Sequence, residues 1–413
     1  MAVLGAASLL PRKAAAARNA LGANERIVVG VIGAGGQGTH DTRMACTAGN
    51  VVCGAMCDLA EFRLDWCNAV LVDQMRKNGQ DVSSIDRFDD YRALLDRKDV
   101  DAVVIATPDH WHKEPFLAAV EAGKHIYQEK PFSFSIADGH EMLAAAKKKP
   151  ELCIQIGTQR RSEPHYAEVK QFIDDGKAGD ITFVRAYDCR NYTHGYDPFS
   201  PATVTQRYHD AIGQTIDWKS AKIDWDTFQK PCEHKIPFDP VRYTAWRWFW
   251  DYAGGLVTDV GVHVIDNVHW LLGEPTPKSA VCHGGVYALD YWETPDVVNA
   301  VIDYGKFSLA FTGSFTNGYE ESGFTLFGTK ATIEVKGNDV KVWAEGDRSK
   351  PILAPKRNKQ HHQHNWIEAM RAGRQPSAPV DLGVSSLLPS HLSNLAYRQG
   401  KRIHWDPATR TTS

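Results

Sequence analysis

Residues 27–38, IVVGVIGAGGQG, decide how the rest of the chain is parsed. Ile27 to Ile32 is an apolar, β-branched run, the pattern of a strand buried on both faces. Gly33, Gly35 and Gly38 follow in GxGxxG spacing, and residues 37–48 read as a helix. Gly33 permits a tight turn, Gly35 lets backbone N–H groups close on phosphate oxygens, and Gly38 lets helix and strand pack closely. Gly36 and Gln37 complete this cradle, which sets a pyrophosphate at the positive end of a helix dipole. A second strand-like run, residues 51–57, ends in Asp58, about twenty residues past the last glycine. A carboxylate there accepts from an adenosine ribose and repels a 2′-phosphate, so the expected cofactor is NAD rather than NADP.

Outward from this unit, strand-like runs at 27–32, 51–57, 102–107 and 125–128 alternate with helical patterns at 60–77, 91–96, 113–122 and 136–148. Such alternation predicts an α/β fold beginning with a Rossmann-type, doubly wound parallel sheet over residues 24–150. Ligands of such sheets lie outside the carboxyl ends of the strands, where Gly33, Asp58, Thr107 and Glu129 fall. From 151 to 413 the pattern changes to a strand at 152–158, a helix from 164 to 175 with Ser162 as its N-cap, and a strand at 181–189. Further β-type runs at 278–287, 297–303, 307–313, 323–327 and 331–335 predict an α+β domain with a large, mainly antiparallel open sheet. Helices at 364–372 and 385–398 close the chain. Between Arg190 and Trp250 lies an aperiodic stretch rich in Tyr, Trp, Asp and Pro, long enough to carry a function or small elements without a periodic signal.

Composition narrows the partners. The 413 residues are 43% hydrophobic and 23% charged with a net charge of −3, which gives no electrostatic reason to bind nucleic acid or an anionic membrane. No apolar run is long enough to span a bilayer. The eight cysteines lack metal spacing and read as buried thiols. His361, His362 and His364 have no acidic or cysteine partner in the pattern, so no metal is expected. Residues 1–23 are alanine-rich with a short apolar piece; they read as an export-leader remnant, which favours a periplasmic or exported location over a cytoplasmic one, or as an N-terminal arm.

Three segments carry chemistry. In TPDHWH (107–112), Thr107, Pro108, His110 and His112 end a strand at the cofactor edge, while Asp109 equally suits a helix cap. In EKP (129–131), Lys130 follows Glu129 at another strand end, where an ammonium can donate to a substrate oxygen; Pro131 fixes its backbone. In GGLVTDVGVHVID (254–266), Asp259 and His263 stand four apart on one helical face, so the carboxylate can orient the imidazole as a general base. Gln159, Arg161, Asp188, Tyr192, His194 and the cluster Trp246-Arg247-Trp248-Phe249-Trp250 offer the aromatic faces and polar pairs that suit a sugar ring.

The glycine turn, Asp58, the EKP lysine and the DxxxH pair together resemble the Gfo/Idh/MocA family of NAD(P)-dependent oxidoreductases, over nearly the whole chain from Ile27. The resemblance implies a sugar or cyclitol substrate, Lys130, Asp259 and His263 as catalytic residues, and a homo-oligomer, dimer or tetramer. The expected reaction is hydride transfer from a secondary hydroxyl to nicotinamide, with His263 taking the proton, Asp259 orienting it and Lys130 stabilising the alkoxide. A redox-neutral, NAD-dependent glycosidase and a non-catalytic sugar-binding protein are the alternatives.

Overall fold

The computed structural model describes residues 26–193, 197–273, 275–358 and 360–413. The export-leader reading and His194 lie outside them. The first sheet has six strands, β1 (Ile27–Ile32), β2 (Val51–Cys57), β3 (Asp86–Phe88), β4 (Ala102–Ile105), β5 (His125–Gln128) and β6 (Ile154–Ile156), ordered β3-β2-β1-β4-β5-β6. Every pairing in it is parallel, as the β-branched runs predict. The sixth strand extends this sheet past residue 150. Helices α1 (Gly36–Cys46) and α2 (Glu61–Lys77) pack on one face; α3 (Tyr91–Leu95), α4 (Lys113–Glu121) and α5 (Ile136–Lys147) pack on the other. The cysteines are free, and burial pushes the Cys46, Cys67 and Cys153 thiols up to about 12.

The chain then continues through α6 (Pro164–Asp174) and β7 (Ile181–Cys189). Ser162 is not the cap of α6: its hydroxyl bonds His362 Nδ1 at 2.6 Å and Ser377 Oγ at 2.7 Å, and Glu163 occupies the cap position without a side-chain hydrogen bond. The aperiodic stretch folds as α7 (Pro201–Ile212), α8 (Trp225–Phe228) and α9 (Pro240–Thr244), joined by turns. Gly255, at φ +64°, turns the chain into a widened π-helical turn, Val257–Gly261, continued by α10 (Val262–Leu271). Strands β8 (Ser279–Gly285), β9 (Val297–Asp303), β10 (Ser308–Ser314), β11 (Ser322–Gly328), β12 (Ala331–Lys336) and β13 (Asp339–Ala344) follow. After α11 (His362–Ala372) and α12 (Asp381–Gln399) come β14 (Ile403–Asp406) and β15 (Thr411–Thr412). The second sheet runs β13-β12-β11-β7-β10-β9-β8-β14-β15, antiparallel except for the β10–β7 pair. Helices α6, α10 and α12 bury one of its faces. Trp366 and Ile367 of α11 return to the core of the first sheet, so the two halves interlock.

Two cradle glycines separate stability from binding. A Cβ on Gly38 would stand 2.1 Å from the Gly33 carbonyl oxygen, whereas one on Gly35 would meet nothing within 4 Å. Gly38→Ala is expected to lower stability by about 1–3 kcal/mol, and Gly35→Ala to leave it within about 0.5 kcal/mol. Urea midpoints of the two variants check this; equal midpoints would contradict it.

Candidate active site

A cleft of about 940 Å³ opens where the carboxyl ends of the first sheet meet the second half of the chain. Its cofactor wall is built from β1, α1 and the turn between them. Gly33, at φ +88°, makes the turn; its Cβ position lies 2.6 Å from the Ala106 carbonyl oxygen, which excludes a side chain. Gly35, Gly36 and Gln37 line the cleft at the N-terminus of α1, and no side chain caps that terminus. Open space over Gly35, beside backbone N–H groups that no side chain satisfies, is what a diphosphate requires, so these residues fit a dinucleotide. Gly38 packs against Gly33 and faces no cleft.

At the end of β2, Asp58 lines the same cleft and accepts from Ala60 N–H at 3.0 Å. Burial raises its carboxyl to about 6, against the lowering effect of Arg63 and the backbone donors. Thr107, Pro108 and Glu129 line the opposite wall. Glu129 is buried and accepts from the Lys130 N–H at 3.0 Å; burial raises its pKa, with Lys130 opposing. The Lys130–Pro131 peptide is cis.

His110 and His112 leave the site. Both are buried behind the wall. His110 Nε2 lies 2.8 Å from the Phe228 carbonyl oxygen, and the His112 ring is held by the carbonyls of Pro131 (2.6 Å) and Thr107 (2.9 Å). Desolvation lowers each imidazole to about 4, against the raising effect of these carbonyls, and both rings serve the packing behind the wall.

The chemical centre is a pair joining the two halves of the chain. Lys130 Nζ donates to Asp259 Oδ1 at 2.8 Å and to the Asp259 carbonyl oxygen at 2.7 Å, across 129 residues of sequence. Arg247 Nε donates to the same Oδ1 at 3.2 Å. The Arg247 guanidinium is itself sandwiched between Trp246 (4.2 Å) and Phe199 (4.3 Å). Burial would raise the Asp259 carboxyl, but Lys130 and Arg247 outweigh it and hold the group far below the usual carboxylate range. Among the described residues no hydrogen bond joins Asp259 to His263, contrary to the expectation from their spacing. The carboxylate turns to Lys130 and Arg247 instead. His263 lines the cleft, and its pKa is depressed by burial first and then by Lys130 and Arg160, with Asp259 opposing.

The sugar-contact candidates divide. Trp246, Arg247 and Gln159 line the cleft. Trp248 and Phe249 are buried, Trp248 stacking on Trp292 at 4.1 Å, and Trp250 stacks on Tyr397. Arg161 is buried in an ion pair with Asp266 at 2.8 Å and belongs to the core between α10 and the first domain, not to the cleft. Tyr192 is buried against Phe315 (4.7 Å) and reaches the site only through its hydroxyl, 3.4 Å from Arg190 Nη1. Asp188 anchors Arg190 at 2.8 Å. Arg190, Phe199, Arg207 and Lys230 line the cleft without having been singled out in the sequence; only the Asp188-x-Arg190 spacing hinted at one of them. The histidine tract disperses: His362 is buried against Ser162 and the Ile156 carbonyl, and His364 meets Thr47.

Comparison with known proteins places this arrangement. Residues 27–158 match the model of the oxidoreductase family with an NAD-binding Rossmann fold, and residues 229–334 match the GFO/IDH/MocA C-terminal domain. The uncharacterized oxidoreductase YrbE of Bacillus subtilis is 31% identical over 328 residues, 79% of this chain and 75% of that protein. Inositol 2-dehydrogenase of Salmonella typhimurium is 30% identical over 156 residues, 38% of this chain and 44% of that enzyme. The solved structure of levoglucosan dehydrogenase in complex with NADH shares the fold, with a TM-score of 0.66 at 19% identity, over 92% of this chain and 99% of that one. With its glycine cradle, EKP lysine and two-domain architecture, the chain belongs to the GFO/IDH/MocA family of NAD-binding oxidoreductases.

Proposed function

We propose that the protein oxidises a secondary hydroxyl of a sugar or cyclitol, reversibly, in this cleft. The observation that carries the reading is the docked Lys130 ammonium. Two of its three N–H groups are taken by Asp259, which leaves one for a substrate oxygen in the cleft shared with the glycine cradle. His263 accepts the hydroxyl proton as a neutral base, and Lys130 stabilises the charge that develops on oxygen. Asp259 fixes Lys130 and Arg247 rather than the imidazole. Trp246 offers an apolar face for ring C–H groups, and Gln159 and Arg190 offer polar contacts to hydroxyls. When bound, NAD supplies the hydride acceptor.

The direct test is a panel of sugars and cyclitols read by formation of reduced cofactor. His263→Ala is expected to lower kcat by about 10²–10⁴-fold while leaving NAD affinity unchanged. Turnover undiminished by that change would refute the base assignment.

A pH dependence follows from Asp58. Ribose hydroxyls donate to the ionised carboxylate, which predominates above pH 6 because the raised pKa is about 6. NAD affinity should therefore fall as pH drops below 6, by up to about tenfold per unit if ionisation is required. Titration calorimetry at pH 5 and 7.5 measures this, and Asp58→Asn should flatten the profile.

The partner-facing part of the reading is a second copy of the chain. The face of the second sheet away from α10 and α12 leaves Phe183 38% and Val301 46% exposed, and Phe183 stacks on Phe327 at 5.2 Å. An apolar, strand-built face of this kind suits a homo-oligomer. Light scattering should give the mass of two or four chains, reduced to one by Val301→Glu; a single-chain mass for the unaltered protein would defeat it.

A further inference from the structure

The segment without periodicity has a consistent spatial role. From Asp197 to Trp250 it crosses from the second domain to the first and fastens there at two places. At the first, residues 222–224 run antiparallel to residues 59–61, immediately after Asp58. Ala60 bridges Ile223, the Glu61 N–H donates to the Lys222 carbonyl at 3.2 Å, and the Asp224 N–H donates to the Leu59 carbonyl at 2.9 Å. The Phe62 ring is driven into the segment's own aromatic cluster, with edge contacts to Tyr208 (5.9 Å), Trp218 (5.6 Å) and Tyr243 (6.2 Å).

The second fastening is at the loop after β4. The Phe228 carbonyl lies 2.8 Å from both His110 Nε2 and Trp111 Nε1, and the Phe228 and His110 rings meet at 5.0 Å. One fastening thus sits beside the ribose-binding carboxylate and the other behind the wall formed by Thr107 and Pro108. Between them Arg207, Tyr208, Thr227, Lys230 and Tyr243 line the same cleft as Gly35 and Asp58. A dinucleotide held in the cradle would share the cleft with this span.

We infer that residues 197–250 are a clasp that keeps NAD on the protein between turnovers, as a resident group and not as a diffusing cosubstrate. The inference rests on the NAD-binding assignment of the cleft and is independent of which sugar is oxidised. Release requires at least one fastening to open, and both are built from buried aromatic contacts and backbone hydrogen bonds, which open seldom. Retention suits a reaction that leaves the cofactor's oxidation state unchanged over a full cycle.

The test uses the full chain purified without added cofactor and dialysed at length. Denaturation followed by mass spectrometry should release about one NAD(H) per chain. Trp218 packs on Phe62 and Tyr243 but does not line the cleft. Trp218→Ala should raise the dissociation rate of NADH, read by tryptophan-to-nicotinamide energy transfer during a chase with excess NAD, at least tenfold. Hydrogen exchange on the unaltered protein supplies a measurement that needs no variant: the Glu61 and Asp224 amides should exchange more slowly in the protein as purified than in protein stripped of its cofactor. A protein that loses its cofactor on one desalting column, or whose Glu61 and Asp224 amides exchange alike with and without NAD, overturns the clasp. Retained NAD that no sugar reduces leaves the clasp standing and defeats the sugar-oxidation reading, whereas rapid turnover with freely exchanging NAD does the reverse.

Discussion

The contact on which the site depends is the ion pair between Lys130 and Asp259. Both side chains are largely withdrawn from water, 15% and 11% exposed. Neither charge is tolerable there alone, since an unpaired buried charge costs roughly 3–5 kcal/mol. The pair is satisfied in detail: Lys130 meets both the carboxylate and the carbonyl of Asp259, and Arg247 meets the same carboxylate. Its two members come from the end of β5 and from the π-helical turn before α10, so satisfying the charges fixes one domain against the other. The floor of the cleft follows from the same arrangement. Asp109 and Glu129 are buried near these cations, and burial raises both carboxyls while Lys130 and Arg247 lower them.

Much of this architecture is readable from local pattern. The β-branched runs of β1, β2, β4 and β5 mark a sheet buried on both faces, and the alternation in β9 and β10 marks one covered on a single face. The strand β3 was not legible because three residues, Asp86-Arg87-Phe88, of which only Phe88 is partly buried, carry no apolar period. Helices α8 and α9 are four and five residues long, too short to show a periodicity, and persist through packing and through the caps Asp224 and Asp239.

Site residues failed or succeeded for a different reason. Arg160 and Arg161 look equivalent in sequence, yet the short turn Gln159–Ser162 buries Arg161 against Asp266, while Arg190, thirty residues on, reaches the cleft because Asp188 holds it there. The Asp259–His263 spacing suggested a local couple. Lys130, distant in sequence, and Arg247 take up the carboxylate, and neither is visible to an argument from i,i+4 geometry. Long-range electrostatics decided its partners.

Three ties join the halves of the molecule: the Lys130–Asp259 pair, the return of α11 to the first sheet, and the span of residues 197–250 with its fastenings at Ala60 and Phe228. They lie at separate points, so a hinge opening that relieves one strains the others. That has an electrostatic consequence. Burial first, and then Lys130 and Arg160, depress the His263 imidazole in this arrangement, with Asp259 opposing.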